Sequence, residues 1–182
     1  PAGLPELQTV AGLNPILQAA APLLAMAPRL RTMARHPDPA ALRVSLVDAV
    51  KRFEAAVRAS GVPNQEVVAA RYILCTMLDE AAASTPWGGS GAWASQSLLV
   101  QFHNESWGGE KIFQLLSRLA EDPAKNRHLL ELVYTALSLG FEGQYRGMAG
   151  GDRELQKVRR DVYEALRHIK ARADDDISPR WQ

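Results

Sequence analysis

The 182-residue chain contains a single cysteine, Cys75, so it cannot form an internal disulfide bond, and we expect a reducing compartment. It has no run of about 18 apolar residues, the length that a membrane-spanning helix needs. Its first residues do not have the pattern of a signal peptide. Basic and acidic residues nearly balance, 21 against 20, so no strong overall field attracts nucleic acid. The apolar fraction of 47% is that of a globular protein.

No segment alternates apolar and polar residues with the period of a β-strand, whereas apolar residues recur at helical spacing along most of the chain. The sequence therefore predicts an all-α protein of about seven to eight helices. We expect residues 1–12 to form a flexible tail, residues 13–173 a helical domain, and residues 174–182 a second loose tail.

Capping residues define several helix ends. Asn14–Pro15 and Asp38–Pro39 predict the starts of the first two helices, with an N-cap followed by proline. Pro22 and Pro28 interrupt the first helix and predict a kink or a split there. Ser60–Gly61 predicts the end of the second helix.

The middle of the chain predicts a buried helix followed by shorter ones. Residues 67–83 are apolar on almost every side, which is typical of a central helix. A short helix over residues 93–102, a structured turn over 103–109 and a helix opened by Glu110 are expected next. The last helix is expected to begin at Asp152, and its apolar stripe consists of Leu155, Val158, Val162, Leu166 and Ile169.

Asp79 and Glu80 are the first candidate site, because they are acidic side chains inside the apolar helix. A buried charge without a partner is costly, so each acid needs a partner or must face a cleft. One interpretation is structural: each acid caps a helix or pairs with an arginine such as Arg71 or Arg146. The other is an acidic cleft that receives a basic partner.

His103, Glu105 and Glu110 are a second candidate, since imidazole and carboxylate groups bind zinc or iron. Their spacing does not match a helical metal motif, so the favoured interpretation is local. In that interpretation His103 and Asn104 bond to the backbone of a tight turn, and Glu105 or Glu110 caps the following helix. We expect no cofactor.

Three tryptophans, Trp87, Trp93 and Trp107, lie near several glycines and could line a ligand pocket. Packing in the core is the favoured interpretation. Cys75 lies among apolar residues, where a thiol is normally buried and inert.

Several separated segments of the chain resemble the TssL family, also called DotU or IcmH-like, of bacterial type VI secretion systems. The segments are NPILQAAAPLLAMAPRLR, RYILCTMLDEAAASTPWG, FHNESWGGEKIF, LLELVYTALSLGFEGQYR and ISPRW, and the resemblance covers residues 14–181.

The resemblance implies a non-enzymatic scaffold: two packed three-helix bundles, hook-like in outline, at the cytoplasmic face of the bacterial inner membrane. A single-pass anchor is expected C-terminal to this chain. The implied partners are the large membrane-complex protein TssM, baseplate proteins and, indirectly, the lipoprotein TssJ; a weak homodimer is also possible on this basis, and no nucleic acid is expected.

The resemblance also implies site residues. It gives Asp79 and Glu80 as a partner-binding cleft, and the loop residues Glu142, Gln144, Tyr145 and Arg146 as a second contact surface. The family often has a basic residue where this chain has Gln144. Two alternatives stay open: a helical metal-dependent hydrolase using His103, Glu105 and Glu110, or a helical adaptor with no link to a membrane.

Overall fold

The computed structural model describes residues 14–35, 38–89 and 91–177. These residues form seven α-helices and two short 3-10 helices and contain no β-strand, which confirms the all-α prediction. The α-helices are α1 (Pro15–Thr32), α2 (Pro39–Ala59), α3 (Asn64–Ala83), α4 (Leu98–His103), α5 (Lys111–Leu119), α6 (Arg127–Ser138) and α7 (Gly151–Ile177); the 3-10 helices are Ala94–Gln96 and Gly143–Tyr145.

The first two helices begin where the sequence predicts. The side chain of Asn14 accepts a hydrogen bond from the backbone of Leu17 at 3.0 Å, and Asp38 caps α2 in the same way. The predicted split of α1 is wrong, because the helix runs through Pro22 and Pro28 without a break. Pro22 is exposed and Pro28 is half-buried, and the loss of one backbone donor at each position does not end the helix.

Helix α3 lies at the centre of the core, as its apolar sequence predicts. Half of its residues are buried, and it packs against α1, α2, α4 and α6. Helix α1 also contacts α2 and α6, and α6 contacts α5 and α7. The division of these helices into two three-helix bundles with a hook-like outline stays a prediction.

Two predicted segments differ from the structure. The helix expected over residues 93–102 is interrupted at Ser97, whose side chain accepts a hydrogen bond from Val100 N at 3.2 Å and starts α4. Helix α7 extends to Ile177, so the first residues of the expected C-terminal tail are helical. Residues 1–12 and 178–182 of the two expected tails lie outside the described residues.

Candidate functional site

Asp79 lies half-buried near the C-terminal end of α3, where its carboxylate caps another helix. One carboxylate oxygen accepts hydrogen bonds from Trp93 Nε1 and Leu98 N, and the other accepts one from Leu99 N, each at 2.9 Å. The first backbone N–H groups of a helix have no intrahelical acceptor, and a negative charge there is favourable. Asp79 therefore fixes the start of α4 and the position of the Trp93 ring.

Burial raises the pKa of Asp79, and the hydrogen bonds from Leu99, Trp93 and Leu98 offset part of that rise. The partly buried carboxylate thus loses some of its contact with water and receives three protein donors instead.

Glu80 points to a different segment, since neighbouring side chains of a helix face different directions. Its two carboxylate oxygens accept hydrogen bonds from Glu142 N at 3.0 Å and Gly143 N at 2.7 Å. The Arg31 guanidinium lies 3.7 Å away, and the Glu80 side chain is only 15% exposed. Burial raises the pKa of Glu80, whereas the two backbone donors, Arg31 and Arg146 oppose the rise.

Residues 140–146, which we call the docking loop because the family resemblance implies a contact surface there, are held from three sides. Arg31 donates to the carbonyl of Leu139, and a side chain at Gly140 would collide with the Arg31 guanidinium. The backbone of Gln144 donates to the carbonyl of Gly109 at 3.3 Å, ahead of α5. The docking loop is therefore built by α1, α3 and the turn before α5 together.

The side chains of the docking loop differ in their exposure to solvent. Glu142, Gln144 and Tyr145 are half-buried, whereas Arg146 is exposed. The Tyr145 ring packs edge-on against Phe113, with 4.9 Å between the ring centroids. Glu80 thus accepts hydrogen bonds from the backbone of the predicted loop. The hydrogen bonds of Asp79 go to Trp93 and to the start of α4.

Neither arginine suggested by the sequence forms an ion pair with these acids. Arg71 pairs with Glu54 at 2.8 Å, donates to His103 Nε2 at 3.1 Å, and also donates to the Phe102 carbonyl. Arg146 is close enough to act on the pKa of Glu80. Arg31, in the last turn of α1, is the paired residue.

His103 takes part in a side-chain network and is not bonded to a turn, so that local prediction is wrong. Burial and the neighbouring Arg71 charge lower the pKa of His103 to about 4, which keeps the ring neutral near pH 7. Its Nε2 lone pair is occupied by Arg71. Asn104 adopts the left-handed conformation, with φ of 53°, at the end of α4.

Glu105 and Glu110 do not cap α5 with their side chains, contrary to expectation. Glu105 accepts a hydrogen bond from the Tyr72 hydroxyl at 2.9 Å and pairs with Lys111 at 2.7 Å. The Lys111 contact lowers the pKa of Glu105, and burial raises the pKa of Tyr72. Glu110 is exposed. In the part of the chain that the structure describes, no three His, Cys, Asp or Glu side chains form a group that could hold a metal ion.

The tryptophans divide into two kinds. Trp93 is buried, with the Arg43 guanidinium 4.7 Å from its ring centroid, and Trp87 packs edge-on against it. Core packing is confirmed for these two. It is wrong for Trp107, which is 59% exposed. Cys75 is buried as predicted, and burial raises the pKa of its thiol.

At this site two acidic side chains hold the backbone of neighbouring segments of a helical core through hydrogen bonds. Such an arrangement is typical of a structural or binding protein. The family model described as "Type VI secretion system protein DotU" matches residues 15–182, so the chain belongs to the DotU family of type VI secretion system proteins. This family is a structural, membrane-associated component of the secretion system.

Solved structures agree with this assignment. The chain is 38% identical to the crystal structure of TssL from Vibrio cholerae, with a TM-score of 0.77 over 86% of this chain and 97% of that one. It is 25% identical to SciP/TssL from Escherichia coli enteroaggregative 042, with a TM-score of 0.69 over 85% of this chain and 86% of that one. A search among curated proteins finds no match. None of the described helices is long and apolar enough to cross a membrane.

Proposed function

We propose that this domain is a scaffold of the type VI secretion membrane complex, at the cytoplasmic face of the inner membrane, and that it docks the baseplate and TssM. Its link to the lipoprotein TssJ would be indirect. Family membership supports the scaffold role. Docking at this place is supported by the hydrogen bonds with which the largely buried Glu80 holds the backbone of a loop that ends at the exposed Arg146.

Asp79 and Glu80 would contribute to docking chiefly by fixing the positions of two segments, the start of α4 and the docking loop. Because Glu80 holds the backbone of Glu142 and Gly143, the side chains of Gln144 and Arg146 are presented in one arrangement. A surface that is ordered before binding loses less conformational entropy when a partner arrives. Asp79 would do the same for α4.

Charge would steer the approach of the partner. Arg146 is the exposed cation of the docking loop, and the neighbouring Glu142 is half-buried. Rim charges of this kind change association rates and specificity more than affinity. We therefore expect a partner surface that is acidic opposite Arg146.

Capture of purified TssM segments and baseplate proteins tests this proposal. The double variant Gln144→Glu/Arg146→Glu changes only side chains of the docking loop and should weaken capture by at least about tenfold, the loss expected when two favourable contacts become repulsive. Arg52→Glu is the matched control, because Arg52 is exposed on α2 and pairs only with Asp48. It should bind like the unaltered chain.

Glu80→Gln separates positioning from direct contact. If Glu80 acts through the loop, this variant should lose capture together with the loop variant. Loss in Glu80→Gln while the loop variant binds normally would assign the contact to the acid itself. Normal capture by a folded loop variant and by Glu80→Gln would overturn the docking proposal.

A further inference from the structure

The exposed side of α7 carries a line of basic residues around one tyrosine. Arg159, Tyr163, Arg167 and Lys170 follow one another at steps of four, four and three, so they share one side of the helix. Arg160 lies two turns before Arg167 on the same side. All five are exposed, and we call the four cations the basic stripe.

The basic stripe differs from an ordinary solvated helix surface. On α2 the exposed cations Arg52 and Arg58 pair with acids one turn away, Asp48 and Glu54. No cation of the basic stripe forms an ion pair with any residue in the described ranges. Within the stripe, Arg167 and Lys170 are like charges one turn apart, an arrangement that is mildly destabilising in a helix.

Acidic residues frame the stripe without interrupting it. Asp152 and Asp174 lie on the same side, near the two ends of α7. Asp161 lies toward the other side of the helix, and Glu164 lies at the edge of the stripe, one turn after Arg160 and one turn before Arg167. Helix α7 as a whole carries equal numbers of basic and acidic residues, so its positive charge is concentrated only on the side that carries the stripe.

A recess adjoins the stripe where α7 passes α6. Its volume is about 270 Å³, and it is lined by Tyr134, Gln156, Arg159, Arg160 and Tyr163. The two tyrosine rings pack with their centroids 5.9 Å apart, and Tyr163 is 42% exposed. Guanidinium groups, phenol hydroxyls and an amide supply hydrogen-bond donors for an anion such as a phosphate group.

We propose that the basic stripe and this recess bind anionic phospholipid headgroups, so that the outer side of α7 lies against the membrane with which the DotU family associates. Phosphate groups of a lipid surface complement a line of cations better than one small anion does, because the stripe spans three turns of helix. Tyrosine suits the boundary between headgroups and acyl chains, since its ring is apolar and its hydroxyl is polar.

Binding to lipid vesicles tests the proposal with the purified 182-residue chain. The vesicles contain phosphatidylcholine alone or a mixture with phosphatidylglycerol, and the salt concentration is about 0.1 M, where the screening length is about 10 Å. We expect clear partition onto the anionic vesicles only. Each basic residue near such a surface contributes about fivefold, equivalent to about 1 kcal/mol.

Two triple variants, each of which removes three exposed cations, give a matched comparison. Arg159→Gln/Arg160→Gln/Arg167→Gln removes three cations of the stripe and should lower the partition coefficient by at least about tenfold, a modest share of the effect of three charges. The control removes three exposed cations outside the stripe and should lose less than about threefold under the same electrostatics. The control positions are Lys157 and Arg172 on the other side of α7 and Lys51 on α2.

Equal loss in the two triple variants would overturn the proposal, because it would show a response to net charge alone. So would equal partition of the unaltered chain onto neutral and anionic vesicles. Complete displacement by inorganic phosphate at matched ionic strength would assign the recess to a free anion. Retention on heparin without vesicle binding would assign the stripe to a soluble polyanion. No protein partner takes part, so these outcomes are independent of baseplate docking.

Discussion

Replacing Asp79 by asparagine should destabilise the protein strongly although the two side chains have the same shape. The amide keeps one oxygen, which can still accept from Trp93 and Leu98. Its NH₂ group would face Leu99 N, which now donates to a carboxylate oxygen at 2.9 Å. Two donors would then oppose each other in a buried site.

The magnitude follows from these three bonds. A hydrogen bond to a charged group contributes about 1.5–3 kcal/mol, and a buried N–H left without an acceptor costs about 1–3 kcal/mol. The two remaining bonds become neutral and weaker. Removing a charge whose burial is unfavourable offsets part of the loss. We expect a net decrease of about 2–4 kcal/mol in the free energy of unfolding.

Urea unfolding followed by helical circular dichroism measures this decrease, as a lower midpoint with an unchanged slope. A domain with total stability of about 5–15 kcal/mol stays folded after the substitution. Asp48→Asn is the matched control, since Asp48 is 64% exposed and makes a surface ion pair with Arg52. That control should lose no more than about 0.5 kcal/mol. A decrease for Asp79→Asn as small as that of the control would refute the capping role.

Two further predictions concern pH and backbone shape. Because the pKa of His103 is about 4 when folded and about 6.5 when unfolded, the unfolded chain binds a proton first, so stability should fall as the pH drops from 6.5 to 4. His103→Gln should reduce this loss of stability by about 1–2 kcal/mol, a figure that allows for the partial exposure of the ring. Urea unfolding at several pH values between 4 and 6.5 measures the loss. The same pH profile in the variant and the unaltered chain would contradict this role of His103. Gly143→Ala should lower the free energy of unfolding by about 2–4 kcal/mol, because φ is +56° and the added carbon would lie 2.7 Å from the Gly109 carbonyl oxygen. Gly147→Ala, with φ of +71° and no neighbour within 4 Å, should lose only about 1–2 kcal/mol, and equal losses would exclude the crowding.

Local signals in the sequence predict the helices well. Asn14 and Asp38 cap α1 and α2, and the all-round apolar pattern of α3 places it in the core. These features depend on residues within one or two turns of one another, so the order of residues is enough. The break at Ser97 was not predicted: Ser97 is a local cap for Val100, but the bond from Leu98 to Asp79 depends on how the helices pack.

Contacts between distant segments could not be predicted in this way. Glu80 reaches across the core to the docking loop, and its cation is Arg31, which looked like an ordinary basic residue at a helix end. Asn14 is a helix cap and also donates to Glu131 at 2.7 Å, which links α1 to α6. Several polar residues could have satisfied each buried acid, and the choice depends on how the helices pack.

The central claim is that neighbouring acids hold separate segments, Asp79 the start of α4 and Glu80 the docking loop. Hydrogen exchange of individual backbone amides in Asp79→Asn and Glu80→Gln tests it most directly, since an amide that loses its acceptor opens more often. Glu80→Gln should speed exchange at Glu142 and Gly143 and leave Leu98 and Leu99 unchanged, and Asp79→Asn should do the reverse. Faster exchange at both segments in either variant, or at neither, would contradict the claim.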